Sequence, residues 1–104
     1  MQPSSPLSIL AIAVAAPGKH AALRAAQEKL VAETVKEAGC IRYELHQSLD
    51  DPHVLVFVET WESEKHWRAH MSGPPIQRFQ ASGAGNLIQD FVLHRLAPIA
   101  DGRS

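Results

Sequence analysis

An α+β fold of the ferredoxin-like βαββαβ type is predicted by three observations. Four apolar segments, beginning at Leu7, Cys40, His53 and Leu87, carry strand periodicity. A long amphipathic helical pattern separates the first from the second, and a shorter one separates the third from the fourth. Only a tight turn separates the second from the third, so those two form a hairpin. This order is the split β-α-β arrangement, whose natural layering is a four-stranded antiparallel sheet with helices on one face.

Residues 7–16 are apolar and alanine-rich, and Pro17-Gly18 stops them. The first eighteen residues hold no Lys or Arg, and the apolar run is too short to span a bilayer, so it reads as a first strand rather than a leader. Over residues 19–38, Leu23, Ala26, Leu30, Val31, Val35 and Ala38 recur at helical spacing. Arg24, Glu28, Lys36 and Glu37 fall on the other side. Gly39 then stands where a left-handed cap is expected. Residues 40–48 alternate Ile41, Tyr43 and Leu45 with Arg42, Glu44 and His46, which predicts a strand with one buried face. Leu49-Asp50-Asp51-Pro52 supplies turn chemistry, and residues 53–61 form the next strand. Ser63 is the expected cap of a helix reaching to about residue 71. Ser72-Gly73-Pro74-Pro75 interrupts that helix, and a further helical stretch covers residues 76–82. Past the Gly83-Ala84-Gly85-Asn86 loop, residues 87–96 are the last strand. One domain is expected over residues 1–104, with its core at about 7–97 and a tail at 98–104.

Strand parity also speaks to the uncovered face. Val54, Val56 and Val58 point one way and Leu55, Phe57, Glu59 and Trp61 the other, so this strand is apolar on both sides. The last strand behaves similarly, with Ile88, Val92 and Leu96 opposite Leu87, Phe91 and Leu93. Helices of one subunit cover a single face. A second copy packed sheet to sheet would cover the other, giving a two-fold homodimer.

The charges number 10 basic and 11 acidic, for a net of −1, and they are scattered. Such a surface does not attract nucleic acid or an anionic membrane by charge. Cys40 is the single cysteine and has no internal disulfide partner. That fits a reducing compartment, and a cytoplasmic location is expected. Cys40 follows the C-terminal end of a helix, where the dipole disfavours a thiolate, so it reads as a packing residue.

Phe57, Glu59 and Trp61 share a sheet face, and the following helix can fold Trp67 and His70 back towards it. A cavity there would be walled by Phe57, Trp61 and Trp67 and would suit a flat aromatic ligand. Desolvation would raise the pKa of Glu59 and lower that of His70, leaving either usable in proton transfer near neutral pH. The plain alternative is that both tryptophans are core packing. Glu62, His66 and His70 also follow one another at helical spacing, a weak metal pattern that needs a further ligand, and no metal site is assigned. His20, His46, His53 and His94 are isolated along the chain and read as surface or edge residues. No glycine-rich phosphate loop, nucleophile elbow or paired-cysteine motif is present.

The chain resembles the antibiotic biosynthesis monooxygenase domain family, small dimeric α+β barrels that include quinol monooxygenases. The resemblance rests on Pro17-Gly18-Lys19, on residues 37–45 (EAGCIRYEL), and on residues 57–63 (FVETWES), with His70 nine residues after Trp61 and Phe79 in the next helix. It spans residues 7–97. What it implies is a homodimer with a pocket in each subunit, oxidising a quinol or small electron-rich aromatic with O2 and no cofactor. Carried over by position, His70 is the catalytic base or hydrogen-bond partner and Glu59 the second polar group. Phe57, Trp61, Trp67 and Tyr43 are the implied substrate contacts. Two positions depart from the pattern: Pro75 stands where many relatives have a second histidine, and Phe57 where some have asparagine. The heme-degrading branch is not implied, because the first strand lacks an asparagine, His70 replaces a tryptophan, and Gln80 stands near the ligand position. An isomerase or degradation enzyme for a small metabolite, and a non-catalytic dimeric binding protein, remain the alternatives.

Overall fold

A computed structural model describes residues 5–100 and Gly102. The expected tail therefore falls partly outside the described residues, as do residues 1–4. Strands β1 (Leu7–Ala15), β2 (Cys40–Gln47), β3 (Val54–Trp61) and β4 (Ile88–Leu96) form one antiparallel sheet in the order β2-β3-β1-β4. Helices α1 (His20–Thr34), α2 (Glu64–Met71) and α3 (Pro74–Ala81) and a short 3-10 turn (Ala84–Leu87) complete the ferredoxin-like α+β fold. Among the described residues, no helix is long and apolar enough to cross a membrane.

The hairpin between β2 and β3 forms because its turn is bonded internally. Ser48 Oγ accepts from the backbone N–H groups of Asp50 and Asp51, both at 3.1 Å, and Asp51 Oδ1 accepts from that of His53 at 3.0 Å. Ser63 caps α2 as expected, its hydroxyl accepting from the His66 N–H. Proline at the start of α3 supplies a fixed φ where no donor is needed.

The core lies between the sheet and the helices. Ile9, Ala11, Leu30, Tyr43, Phe57 and Trp61 form one buried cluster, and Ala13, Ala15, Leu23 and Leu55 a second. Leu23 and Leu55 are fully buried, each contributing about 1.5–3 kcal/mol relative to exposure. The parity expected for β3 holds, with Leu55, Phe57, Glu59 and Trp61 buried beneath the helices and Val54, Val56 and Val58 only half-buried on the other face. On that open face Ile12 pairs with Val56 on one side and Val92 on the other.

Three expectations need correction. The first helix ends at Thr34, four residues early, because the chain tightens: the N–H of Glu37 bonds the carbonyl of Thr34 at 2.9 Å. Ile41 is exposed rather than buried, since the ladder slips between Cys40 and Arg42 and Ile41 becomes the extra residue of a bulge. Ile88 lies on the covered face with Phe91 and Leu93, because an irregularity after Val14 pairs it with Ala15.

Gly39 holds the end of this tightened segment. Its φ is +80°, which disfavours any side chain, and a Cβ built there would run into the ring of His66. The carbonyl of Gly39 accepts from the Glu62 N–H at 2.8 Å, so the chain leaving α1 and the chain entering α2 are fastened together.

Candidate active site

A cavity of about 240 Å³ lies between the sheet and the helices. Ala11 and Phe57 of the sheet and Leu30, Ile76 and Phe79 of the helices supply apolar wall, with Phe91 and Leu93 along β4. Polar groups in this wall are few: Gln27, Tyr43, Glu59, His70 and Gln80. An apolar cavity with a small set of convergent polar groups is the usual form of a small-molecule site.

His70 is 1% exposed, the one buried residue of α2. Its Nδ1 lies 3.0 Å from Glu37 Oε1, and its ring stacks on that of Trp61 with centroids 4.7 Å apart. Burial pushes its pKa down to about 4, so near neutrality the imidazole is uncharged. With Nδ1 engaged by Glu37, Nε2 is the ring nitrogen left to accept a proton. Glu37 is itself pushed above its ordinary value by burial.

Glu59 is 4% exposed, and its Oε1 accepts from the indole N–H of Trp61 at 3.0 Å. Burial raises its pKa to about 7, and the bond from Trp61 offsets part of that rise. Near neutral pH both the acid and the carboxylate forms are therefore populated. Tyr43 is buried, with its ring 5.1 Å from Phe57 and 5.3 Å from His70. Burial first, and the Glu59 carboxylate second, hold its phenol well above the ordinary value, so it stays neutral.

Of the residues picked out in the sequence, Phe57, Glu59, Tyr43 and His70 come together in the cavity wall. Trp61 and Trp67 do not line it. Trp61 is fully buried, joining Glu59 by a hydrogen bond and His70 by stacking. Trp67 is packed against the core cluster, with its indole nitrogen buried and unpartnered among the described residues. The helical pattern carried through residue 38 had put Glu37 on the polar side. The early end of α1 instead turns it inward to His70. Gln27 was overlooked because its type is polar, although it lies four residues after Leu23 and three before Leu30, within the buried stripe.

Glu62, His66 and His70 do not converge. His66 Nδ1 is 2.8 Å from Ser63 Oγ, and His70 is engaged by Glu37. No group of three His, Cys, Asp or Glu side chains among the described residues has a metal-binding arrangement. His20 and His53 stand in ring contact at 4.5 Å, with Asp51 3.2 Å from His53. A second depression of about 300 Å³ lies between α1 and β2. Its polar side chains already satisfy one another, Arg24 donating to Gln47 at 2.9 Å and pairing with Glu28 at 3.5 Å.

The fold and its relatives agree. PA3566 from Pseudomonas aeruginosa superposes with a TM-score of 0.86 at 33% identity, covering 96% of this chain and 100% of that one. SO0527 from Shewanella oneidensis gives 0.82 at 31%, over 89% and 90% of the two chains. Rv0793 from Mycobacterium tuberculosis, provisionally named a monooxygenase, is 27% identical over 96 residues, which are 92% of this chain and 94% of it. The Rv0793 structure superposes with a TM-score of 0.84. Residues 8–82 match the model of antibiotic biosynthesis monooxygenases, a span that takes in Gln27, Glu37, Glu59 and His70. By that match, which runs from the first strand through the last helix of the cavity wall, this chain belongs to the antibiotic biosynthesis monooxygenase family.

Proposed function

We propose that this protein is a monooxygenase that oxidises a quinol or another small electron-rich aromatic with O2, without a cofactor. The observation that carries the reading is His70, buried in the wall of an apolar cavity, with Glu37 on Nδ1 and Glu59 in the same wall. His70 Nε2 takes the proton of a substrate hydroxyl. Glu37 favours the imidazolium that forms and fixes the ring. Glu59, in its protonated form, donates to the oxygen left behind and spreads its charge. The electron-rich anion then reduces O2 itself: a ring carbon forms a C–O bond to one oxygen atom, the O–O bond breaks, and the quinol supplies all four electrons, leaving a hydroxyquinone and water with no external reductant.

The reading is tested in an oxygen electrode with a naphthoquinol added anaerobically and oxygen admitted afterwards. Uptake well above the buffer rate is expected; uptake equal to buffer rejects it.

The open sheet face supports a homodimer built sheet to sheet, because half-buried valines and Ile12 form an apolar surface with no helix over it. Ile12→Lys puts a charge at its centre. Sedimentation velocity is expected to show a dimer for wild type and a monomer for the variant; a wild-type monomer rejects the arrangement.

A further inference from the structure

The buried stripe of α1 reads Leu23, Gln27, Leu30, Thr34, and the amide in its middle has no evident structural purpose. Gln27 is 1% exposed, its Oε1 has no hydrogen-bond partner among the described residues, and the side chain stands in the cavity wall. Buried amides are normally bonded, since leaving one unmade forfeits its interaction with water. A methionine or leucine would fill the same volume without that cost.

Gln27 lies away from the proton-transfer groups. Leu23 packs in the cluster of Ala13, Ala15 and Leu55, and Leu30 in that of Ile9, Phe57 and Trp61. The residue between them on the helix sits near the level of Ala11. Glu59 pairs with Ile9 across the sheet. The offset along the strands is two residues, on the order of 7 Å. The polar groups of the cavity are therefore displaced along the strands, Gln27 near the Ala11–Phe57 pair and Glu59 at the next covered position of β3.

We infer that Gln27 is a specificity-determining residue that hydrogen-bonds a second hydroxyl of the substrate, at the far end of a one- or two-ring frame from the hydroxyl that His70 deprotonates. The substrate class is an aromatic with hydroxyls at both ends, and a mono-hydroxylated analogue leaves the Gln27 amide unpaired. The inference rests on the aromatic-substrate reading of the same cavity.

Its test is binding, by calorimetric titration of 2,6-dihydroxynaphthalene and of 2-naphthol into wild type, Gln27→Met and Gln27→Leu. Wild type is expected to prefer the diol by about tenfold, the value of one net hydrogen bond. Both variants should bring the ratio to about one while 2-naphthol binds them about as it binds wild type. Retained 2-naphthol binding also shows that the variants have folded. A preference that survives both substitutions, no preference in wild type, no diol binding in wild type, or equal loss of both ligands in the variants each overturns the inference. Because binding needs no oxygen, a Gln27-dependent preference without oxygen uptake refutes the monooxygenase reading alone. Oxygen uptake with no Gln27-dependent preference refutes the specificity role alone.

Discussion

His70→Ala is expected to lower quinol-dependent oxygen uptake by about two to three orders of magnitude, within the range that a positioned general base contributes. The substitution also removes a fully buried ring that stacks on Trp61 and bonds Glu37, so a lower melting temperature is expected alongside. Glu37→Gln separates the two effects. It keeps the side-chain volume and removes the carboxylate that favours a charged imidazole, so the rate should fall less than in His70→Ala while stability changes little. Burial holds the His70 pKa at about 4, so its neutral form is present throughout the working range. The rate above pH 5 should therefore not follow the titration of His70. Uptake by His70→Ala equal to wild type would remove His70 from the chemistry.

Glu59→Gln is expected to stabilise the protein at pH 8 by about 3 kcal/mol and to leave stability near pH 4 unchanged. The carboxyl rises from 4.5 to about 7 on folding, and each unit corresponds to about 1.4 kcal/mol. Between those values the folded chain holds a proton that the unfolded chain has released. Stability therefore falls as pH rises through that window and stays low above it. An amide in the same place carries no such penalty. His70 works in the opposite sense: its pKa falls from 6.5 to about 4 on folding, so its contribution is lost as pH drops through that interval. The two slopes oppose each other in wild type, which is why the difference between variant and wild type is the informative quantity. Urea unfolding of both proteins at pH 4 and pH 8 measures it, and a pH-independent difference would contradict the buried titration. Activity gives a second readout. An amide oriented by Trp61 still presents N–H to the cavity, so the variant should keep activity at pH 6 within about tenfold and lose the decline expected above pH 7. Loss of all activity at pH 6 would make Glu59 the base instead.

The sheet was legible because strand periodicity is simple and local. The alternation at Leu55, Phe57, Glu59 and Trp61 decides which side chains the helices cover, and the order of elements decides the topology. Face and depth are different quantities, however. Parity placed Trp61 on the correct face but not beneath its neighbours, since depth depends on how α2 crosses the sheet. Ile41 and Ile88 depart from parity for a related reason, because a one-residue irregularity near the start of each strand puts the first side chains out of phase with the rest and leaves no mark on composition. Glu37 was missed where helical spacing was carried past the point at which the chain tightens. Gln27 was available in principle, as a polar residue at a position where a helix otherwise repeats buried ones.

The contact at Gly39 has an evolutionary consequence. The ring of His66 fills the volume beside position 39, so a side chain at 39 needs both a reversal of backbone hand and a smaller neighbour at 66. Two residues before it stands Glu37, and four after His66 stands His70. Substitutions at the glycine would thus be epistatic with position 66 and would disturb the two segments that carry Glu37 and His70, so selection on a site built from those side chains would reach a residue that has no side chain to select.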